Sequence, residues 1–557
     1  MKSKQKSTLA SDIVGILCGV FLVVVGVVVA LSARADRVAG LRDSQIPAGA
    51  KTLVGTAEGR NGDITVQVRA DGEKIYQIKV LEESETQGIG SKAIKAVPRA
   101  IYNSQNLQVD ATSGATITSD AIKAAVFNAL TEGEIDAYAF GYRIVKADHV
   151  AKQVEVRHVE VVSPEQWKAD HPKVYSSFWA DTYPDIYNSF MRNGENKDII
   201  EYTEEYPQIV SLYAGYPFSY DYASARGHAY VLDDVTGTDR LHKMQPDGTL
   251  APEIFQKANC FTCKSPVMAA LVNETGGEAY SWTFEQMQAY ADEPVGCYTC
   301  HADEPGEITI THTYLTDSVG DDFERIDAAN LACGQCHNEY FFMPGTNMTT
   351  LPHTSLATMS PDEMLNFYNT DPSVFKTEED GSKVPFYDFT NKISGVKVIK
   401  VQHPELETYL GEGSQHRGKF TCADCHMGEL PTADGGVTKN HFLTSPLDNE
   451  ALLESTCSEC HTDLKGEVQR IQDATVKRTM EIADLLVELH QKIGEAAENG
   501  TLSDSELAEA RALARDAQFY WDFVFVENSN GAHNSTLTNE CLDKAEALTN
   551  QALGMFK

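Results

Sequence analysis

Cys260-Phe261-Thr262-Cys263-Lys264 is the stretch around which this sequence is organised. Four later segments share its pair of cysteines separated by two residues, but end in histidine where this one ends in lysine. They are Cys297-Tyr-Thr-Cys300-His301, Cys333-Gly-Gln-Cys336-His337, Cys422-Ala-Asp-Cys425-His426 and Cys457-Ser-Glu-Cys460-His461. In C-x-x-C-H, two thiols attach covalently to a haem and the adjoining imidazole binds one axial position of its iron. The five motifs, called first to fifth in chain order, therefore predict five covalent haems c.

Lys264 is the exception in this series. An amine binds iron only when it is neutral, and a free lysine has a pKa of ~10.4, so the iron and a buried setting must hold this side chain deprotonated. A lone C-x-x-C could instead be a redox dithiol, and two such pairs could hold zinc. Four C-x-x-C-H copies in one chain argue against these alternatives and predict Lys264 as the axial ligand of the first haem.

The composition excludes one class of function. With 46 basic and 81 acidic residues the net charge is −35, so there is no basic surface to neutralise nucleic-acid phosphates. An anionic substrate would need a local positive channel. Ten of the 12 cysteines lie in the motifs, which leaves Cys18 and Cys541 as small apolar residues and no disulfide framework.

The N-terminus resembles a membrane anchor. Residues 13–31 carry no charge and, at ~1.5 Å per residue, would extend about 28 Å as a helix, close to a ~30 Å hydrocarbon core. Residues 1–37 are therefore predicted to be a cytoplasmic tail and a single transmembrane anchor. A cleaved signal peptide ending near Ala33-Arg34-Ala35 is the alternative. Because c-type haems are attached outside the cytoplasm, the rest of the chain is expected on the extracytoplasmic side, in the periplasm or at the cell surface.

Residues 48–135 have the pattern of a small α+β domain. Alternating apolar residues on either side of the turn Asp71-Gly72 predict a β-hairpin. These residues are Ile64, Val66 and Val68 before the turn and Tyr76, Ile78 and Val80 after it. Ser119 is predicted to cap a helix whose apolar face includes Ile122, Val126 and Leu130.

Two loops of this domain resemble a known family. Asp110-Ala-Thr-Ser113-Gly114-Ala115-Thr116 resembles the flavinylation motif of FMN-binding domains in the C subunit of sodium-translocating NADH:quinone reductases and the G subunit of Rnf complexes. Glu85-Thr86-Gln87-Gly88-Ile89-Gly90 is similar to the family's second loop, with Gln87 where proline is usual. The resemblance implies FMN joined covalently to Thr116, with contacts from Ser113, Gly114 and Glu85. An ordinary polar turn before a helix is the alternative.

Residues 136–165 are predicted to be a connector. Its alternating segment at 154–162 could be one strand of the first domain or a stiff link, and no Gly/Ser-rich tether separates the two halves.

From about residue 166 to the C-terminus the chain resembles the ammonia-forming cytochrome c nitrite reductases. Besides the five motifs, the landmarks are Ala214-Gly-Tyr-Pro-Phe-Ser219, Arg226-Gly227-His228, Glu339-Tyr340 after the third motif, and Lys400-Val-Gln402-His403-Pro404. The resemblance implies that Arg226, Tyr340 and His403 line the open face of the haem held by Lys264. A forked cation suits a bent oxyanion, and histidine and tyrosine can donate protons. Taken singly, each could be structural instead.

The same resemblance implies further ligands. Calcium is expected beside the pocket, held by the oxygens of Glu339, Gln402 and the backbone at Tyr340 and Lys400. The second axial ligands of the four histidine-ligated haems are expected to be His228, His416, His441 and His533. The other histidines are expected to be surface or structural residues; they are His149, His158, His171, His242, His312, His353 and His490.

Amphipathic periodicity predicts long C-terminal helices over 465–495, 503–525 and 536–553. The family likeness implies that they form a homodimer contact, although they could equally pack on their own haems. The predicted fold is a mainly α multihaem cytochrome domain with a small α+β FMN-binding domain and one transmembrane helix.

The expected function is six-electron reduction of nitrite to ammonium, fed by FMN from a membrane donor, either a quinol or an NADH-linked flavoprotein. A non-catalytic flavin and multihaem electron carrier is the alternative. Within enzymes, sulfite or hydroxylamine could be the main substrate.

Overall fold

The computed structural model describes residues 37–59, 62–72, 74–85, 90–107, 109, 116–133, 135, 161–301, 308–432 and 436–556. The chain divides into two compact units, Met1–Asp148 and His149–Lys557. Within the described residues, no helix combines the length and apolar character needed to cross a bilayer. The predicted anchor at 13–31 and most of the predicted connector lie outside them.

The first unit is one antiparallel sheet covered by two helices. Its strands are β1 (Val38–Gly40), β2 (Lys51–Glu58), β3 (Asp63–Ala70) and β4 (Ile75–Glu82), and its helices are α1 (Gly90–Ser104) and α2 (Thr116–Glu132). The strand order is β1-β4-β3-β2. One face of β3, with Ile64, Val66 and Val68 fully buried, packs with Ile122, Val126 and Leu130 of α2 in a single core. The unit therefore buries the apolar face that its alternation predicts.

The predicted hairpin between β3 and β4 is confirmed, with two local differences. A register shift next to the turn brings Ile75 into the core, and Tyr76 is only half buried because its hydroxyl donates to Asp71 Oδ2 at 2.7 Å. The prediction that Ser119 caps α2 is wrong. The helix begins at Thr116, so Ser119 lies inside its first turn and is fully buried.

The second unit is mostly helical with short strand pairs. Its shorter helices are α3 (Pro164–Asp170), α4 (Pro184–Met191), α5 (Tyr202–Glu205), α6 (Gln208–Leu212), α7 (Val231–Thr236), α8 (Pro266–Thr275), α9 (Phe284–Gln288), α10 (Cys297–His301), α11 (Thr313–Val319), α12 (Ala328–Gly334), α13 (Pro361–Thr370), α14 (Glu405–Leu410), α15 (Cys422–His426) and α16 (Glu450–Ser455). Its strands are β5 (His242–Met244), β6 (Leu250–Ile254), β7 (Phe341–Phe342), β8 (Thr349–Thr350), β9 (Lys376–Thr377), β10 (Lys383–Val384), β11 (Phe389–Thr390), β12 (Lys397–Val398), β13 (Glu429–Pro431) and β14 (Val437–Lys439).

Three long helices complete the second unit, and they confirm the helices predicted from the amphipathic periodicity of the sequence. They are α17 (Leu464–Asn499), α18 (Asp504–Phe525) and α19 (Ser535–Leu553). Ile482, Leu486 and Leu489 of α17 are buried in the core, and Leu485 is half buried. Cys541 of α19 is buried in the same core, as expected of a small apolar residue.

Candidate haem and substrate site

Each described C-x-x-C-H motif folds as about one helical turn. The second and fourth motifs form α10 and α15. In the third and fifth, the amide of the histidine donates to the backbone oxygen of the first cysteine, at 3.0 Å for His337 and 2.9 Å for His461. Lys264 instead bonds one residue closer, to Phe261 O at 3.0 Å. Residues four apart share one face of a turn, so a cysteine and the histidine face the same space.

Each of the four motif histidines stands opposite a second histidine. The ring centres are 6.3 Å apart for His228 and His337, and 6.1 Å apart for the pairs His301–His441, His416–His461 and His426–His533. With metal–nitrogen bonds of ~2.0 Å, two imidazoles on opposite faces of one iron have centres about 6.3 Å apart. The geometry of all four pairs fits a haem iron between the rings.

The cysteines place the motifs next to one another. Cys263 of the first motif lies within hydrogen-bond distance of Cys336 of the third motif. Cys333 of the third motif lies within hydrogen-bond distance of Cys422 of the fourth. Cys300 of the second motif lies near Cys333 of the third. Cys425 and Cys457 bring the fourth and fifth motifs together in the same way. The third motif is therefore central, with the first, second and fourth around it and the fifth beyond the fourth.

Tyr340 and His403 lie on the side of the first motif. Tyr340 lies beside Cys260 and Cys263, and burial raises its pKa well above the usual value, so its hydroxyl keeps its proton. Burial lowers the pKa of His403 to about 4, and Lys264 lies nearby. A neutral imidazole passes protons on but carries no standing positive charge near pH 7.

Arg226 is held by an acidic neighbour. Its Nε and Nη2 lie 2.8 Å and 2.7 Å from Asp234 Oδ1, and its backbone amide donates to Asp234 Oδ2 at 3.2 Å. The guanidinium also stacks 4.4 Å from the ring of Tyr230. The Arg226-Gly227-His228 segment approaches the third motif through His228, whose ring lies opposite that of His337. That Arg226 lines the pocket stays a prediction.

Glu405 is a buried carboxylate that the sequence did not single out. Its Oε1 lies 3.8 Å from His337 Nδ1 and 3.9 Å from His403 Nδ1, and Asn528 Nδ2 donates to the same oxygen. The His337 and His403 rings are 6.4 Å apart. One carboxylate therefore faces the histidine of the third motif and the pocket histidine together. Glu405 could have been found in the sequence from its position two residues after His403.

The residues expected to hold calcium are brought together. Glu339 is fully buried; its Oε2 accepts the amide of Gln402 at 2.6 Å and its Oε1 accepts the Tyr368 hydroxyl at 2.9 Å. Gln402 Nε2 lies 3.0 Å from the backbone oxygen of Lys400. In the described part of the chain no three His, Cys, Asp or Glu side chains form a metal-binding group. One carboxylate with amide and carbonyl oxygens is a donor set for a hard cation.

Two histidines that were expected to be surface or structural residues contact residues in or near the candidate site. His312 Nε2 is 2.8 Å from the backbone oxygen of Thr262, inside the first motif, and its Nδ1 is 2.8 Å from Gln335 Oε1 in the third. His353 Nε2 lies 2.7 Å from Glu407 Oε1. Both histidines are buried, so neither lies at the surface. His149 and His158 lie outside the described residues.

In the first unit, Glu85 marks the candidate flavin site. It is buried and accepts a hydrogen bond from the hydroxyl of Thr118 in the first turn of α2. A Cβ on Gly90 would lie 2.7 Å from Glu85 Cβ and 2.9 Å from its Oε2. Gly90 is therefore needed for the packing of Glu85. Thr116 begins α2, and Ser113 and Gly114 lie outside the described residues.

Cysteine motifs with paired histidines on a mostly helical scaffold define a multihaem c-type cytochrome. The chain belongs to the cytochrome c552 family, which it matches over residues 163–556. Residues 59–131 match the FMN-binding domain. The two resemblances found in the sequence are confirmed.

Two relatives are similar over most of their length. The cytochrome c nitrite reductase subunit NrfA of Nitratidesulfovibrio vulgaris strain Hildenborough is 29% identical over 423 residues, which cover 71% of this chain and 78% of the relative. The structure of the catalytic subunit NrfA of cytochrome c nitrite reductase from Desulfovibrio desulfuricans ATCC 27774, described for its two calcium sites, is 27% identical. It superposes with a TM-score of 0.60 and covers 69% of this chain and 86% of its own.

Proposed function

We propose that the second unit reduces nitrite to ammonium: nitrite, eight protons and six electrons give ammonium and two water molecules. The observation that carries this proposal is an asymmetry among the motifs. Four motif histidines each face a second histidine at 6.1–6.3 Å, whereas the first motif lies beside Tyr340, through Cys260 and Cys263, and Lys264 lies near His403. One haem with a free face and four closed haems is the arrangement that a catalytic site with a relay requires.

The ligand assignment follows from the pairs. The residues that would hold the four haems are His301 with His441, His337 with His228, His426 with His533, and His461 with His416. His403 is as close to His337 as His228 is, so it could compete for the third iron. We assign His228 to that iron because His403 also faces Lys264. Haems bound at these motifs would supply a relay, because the third motif adjoins the first, second and fourth, and the fifth adjoins the fourth.

The pocket residues have distinct roles. The bound haem supplies the iron that holds the nitrite nitrogen and delivers the electrons. Arg226 attracts the anion and, because Asp234 fixes its Nε edge, approaches it in one orientation. Tyr340 donates a hydrogen bond to the N–O fragment, and His403 relays protons. Groups fixed before reaction lower the barrier because they need no reorganisation as N–O bonds break.

Calcium beside the pocket would bind Glu339 Oε, Gln402 Oε1 and the backbone oxygens at Tyr340 and Lys400. In this site the cation offsets negative charge next to Tyr340. The buried Glu339 carboxylate, whose pKa burial raises well above its usual value, supports this proposal because a cation would favour its charged form.

The first unit is proposed to carry FMN on Thr116 and to pass electrons to the haems. The FMN-binding domain match supports the flavin. The transmembrane anchor at 13–31, the extracytoplasmic location, a quinol or NADH-linked donor and a homodimer belong to the same proposal. The proposed domains are the anchor at 1–37, the FMN domain at 48–135, the connector at 136–165 and the haem domain at 166–557.

The decisive experiment is a product balance on the full-length holoprotein. With a small reductant, nitrite should be consumed with six electrons for each ammonium formed, and Lys264→Met should abolish this turnover while the other haems remain reducible. Rapid haem oxidation without ammonium would favour the non-catalytic carrier. Faster turnover of sulfite or hydroxylamine than of nitrite would change the substrate but not the site.

A further inference from the structure

Two of the proposed axial histidines bond to carboxylates through the ring nitrogen that does not face iron. His461 Nδ1 lies 2.8 Å from Glu467 Oε2, and His533 Nδ1 lies 2.6 Å from Glu527 Oε1. The first histidine belongs to the fifth motif and the second stands opposite the fourth. Each carboxylate is six residues from its histidine along the chain, one after it and one before it.

Two other axial histidines use a weaker partner. His426 Nδ1 lies 3.0 Å from the backbone oxygen of Thr444, and His441 Nδ1 lies 3.0 Å from that of Lys439. A carbonyl fixes the ring and leaves the proton on Nδ1. A carboxylate pulls on that proton and so makes Nε2 a stronger donor to a metal. The two kinds of partner therefore give chemically different axial ligands on the same scaffold.

The two carboxylates are themselves held in place. Glu527, 3% exposed, accepts the Ser529 hydroxyl on its other oxygen at 2.6 Å, and Ser529 Oγ in turn accepts the amide of His533 at 3.0 Å. Glu467 lies in the first turn of α17, where the positive end of the helix dipole favours a negative side chain. Neither carboxylate needs to move to keep its histidine bond.

We propose that Glu467 and Glu527 are positioning residues that lower the reduction potentials of the fifth and fourth haems, respectively. This rests on the haem ligation proposed above. An electron-rich imidazole stabilises ferric iron over ferrous iron, so an electron on either haem has a larger driving force to move on. The fifth haem adjoins the fourth and the fourth adjoins the third. Glu405 lies 3.8 Å from His337 Nδ1, beyond hydrogen-bond distance, so it affects the third haem less, and the two shorter bonds favour the flow of electrons toward the haem of Lys264.

The test is spectroelectrochemical titration of the full-length holoprotein with Glu467→Gln and Glu527→Gln. Glutamine keeps the size and an accepting oxygen but removes the charge. In each variant one haem should titrate at a higher potential, with a ferrous-to-ferric ratio about tenfold greater at fixed potential, which is about 59 mV for one electron. The matched control is Glu481→Gln on the same helix, an exposed residue paired with Lys477 at 3.4 Å. It makes the same charge change away from any haem and should shift none.

Unchanged potentials in both glutamate variants would overturn the proposal, as would an equal shift in the Glu481 control. If Glu527→Gln does not give folded holoprotein, Glu467→Gln decides alone, because its side chain is 40% exposed and tolerates the change. Ligation itself is tested separately. His461→Ala and His533→Ala should each create one high-spin haem, and if neither does, the ligand assignment fails whatever the glutamate variants show.

Discussion

Lys400 and Asp522 form an ion pair in the interior, with Nζ 3.2 Å from Oδ2 and side chains that are 1% and 0% exposed. Asp522 also accepts the amide of Val401 at 2.9 Å and the hydroxyl of Tyr213. Helix α18 thereby fixes the backbone that brings Lys400 and Gln402 to Glu339. The long C-terminal helices support the pocket as well as their own core.

Asp522→Ala should destabilise the holoprotein by about 3–5 kcal/mol, because it leaves the Lys400 ammonium buried without its partner. Denaturant unfolding followed by far-ultraviolet circular dichroism measures this loss. Glu378→Gln is the control: it removes a half-exposed pair with Lys397 at 2.6 Å and should cost no more than about 1 kcal/mol. Similar losses in the two variants would mean that Asp522 does not act through a buried charge.

Glu339→Gln should weaken calcium binding at least about tenfold, since it removes the one carboxylate among the proposed ligands. Calorimetric titration of chelator-treated holoprotein with calcium gives the affinity. Chelation should slow nitrite turnover in the wild type, and added calcium should restore it there but not in the variant. A wild-type enzyme insensitive to chelation, with no measurable binding, would rule out this cation site.

His490 predicts a pH dependence of stability. It is buried between two uncharged partners, Ser394 at 2.7 Å and Gln518 at 2.9 Å, and burial lowers its pKa from 6.5 to about 4. Below pH 6.5, His490 binds a proton in the unfolded chain, whereas in the folded chain it stays neutral until the pH falls to about 4. The stability is therefore full above that pH and falls by roughly 3 kcal/mol as the pH drops to about 4.

His490→Asn should be less stable than the wild type at pH 7 and should lose less stability between pH 7 and pH 4.5. Denaturant unfolding at the two pH values measures the difference. If wild type and variant lose the same amount, the acid sensitivity arises elsewhere in the molecule.

Thr116→Val should abolish covalent FMN, seen as loss of the flavin mass and of flavin fluorescence on a denaturing gel. Turnover with the physiological donor should slow, and turnover with a small dye that reduces the haems directly should not. Thr131→Val, the same change near the other end of α2, should keep the flavin. An equal loss of activity with the two electron donors would make the first unit structural.

The sequence was enough to predict functional residues that a local motif or a resemblance to a known family identifies. Motif spacing identified His301, and the resemblance identified His441, but no local pattern states that these two rings meet at 6.1 Å. That pairing follows from tertiary structure.

The residues that sequence reasoning missed are acidic groups that act across the fold. Asp522 and Glu467 lie on amphipathic helices, where a carboxylate normally faces solvent, and only the packed structure reveals Lys400 and His461 beside them. Ser119 was misjudged for the same reason, because capping residues also occur inside a buried first turn.

The spin states of the irons in the ferric holoprotein test the central claim most directly. Low-temperature electron paramagnetic resonance should show one high-spin haem, whose signal changes when nitrite is added, alongside low-spin signals from the bis-histidine haems. Lys264→His should keep this high-spin signal, because it exchanges the ligand on the motif side and leaves the opposite face of the iron open. A wild-type spectrum in which every haem is low-spin and unaffected by nitrite would contradict the account and leave an electron carrier.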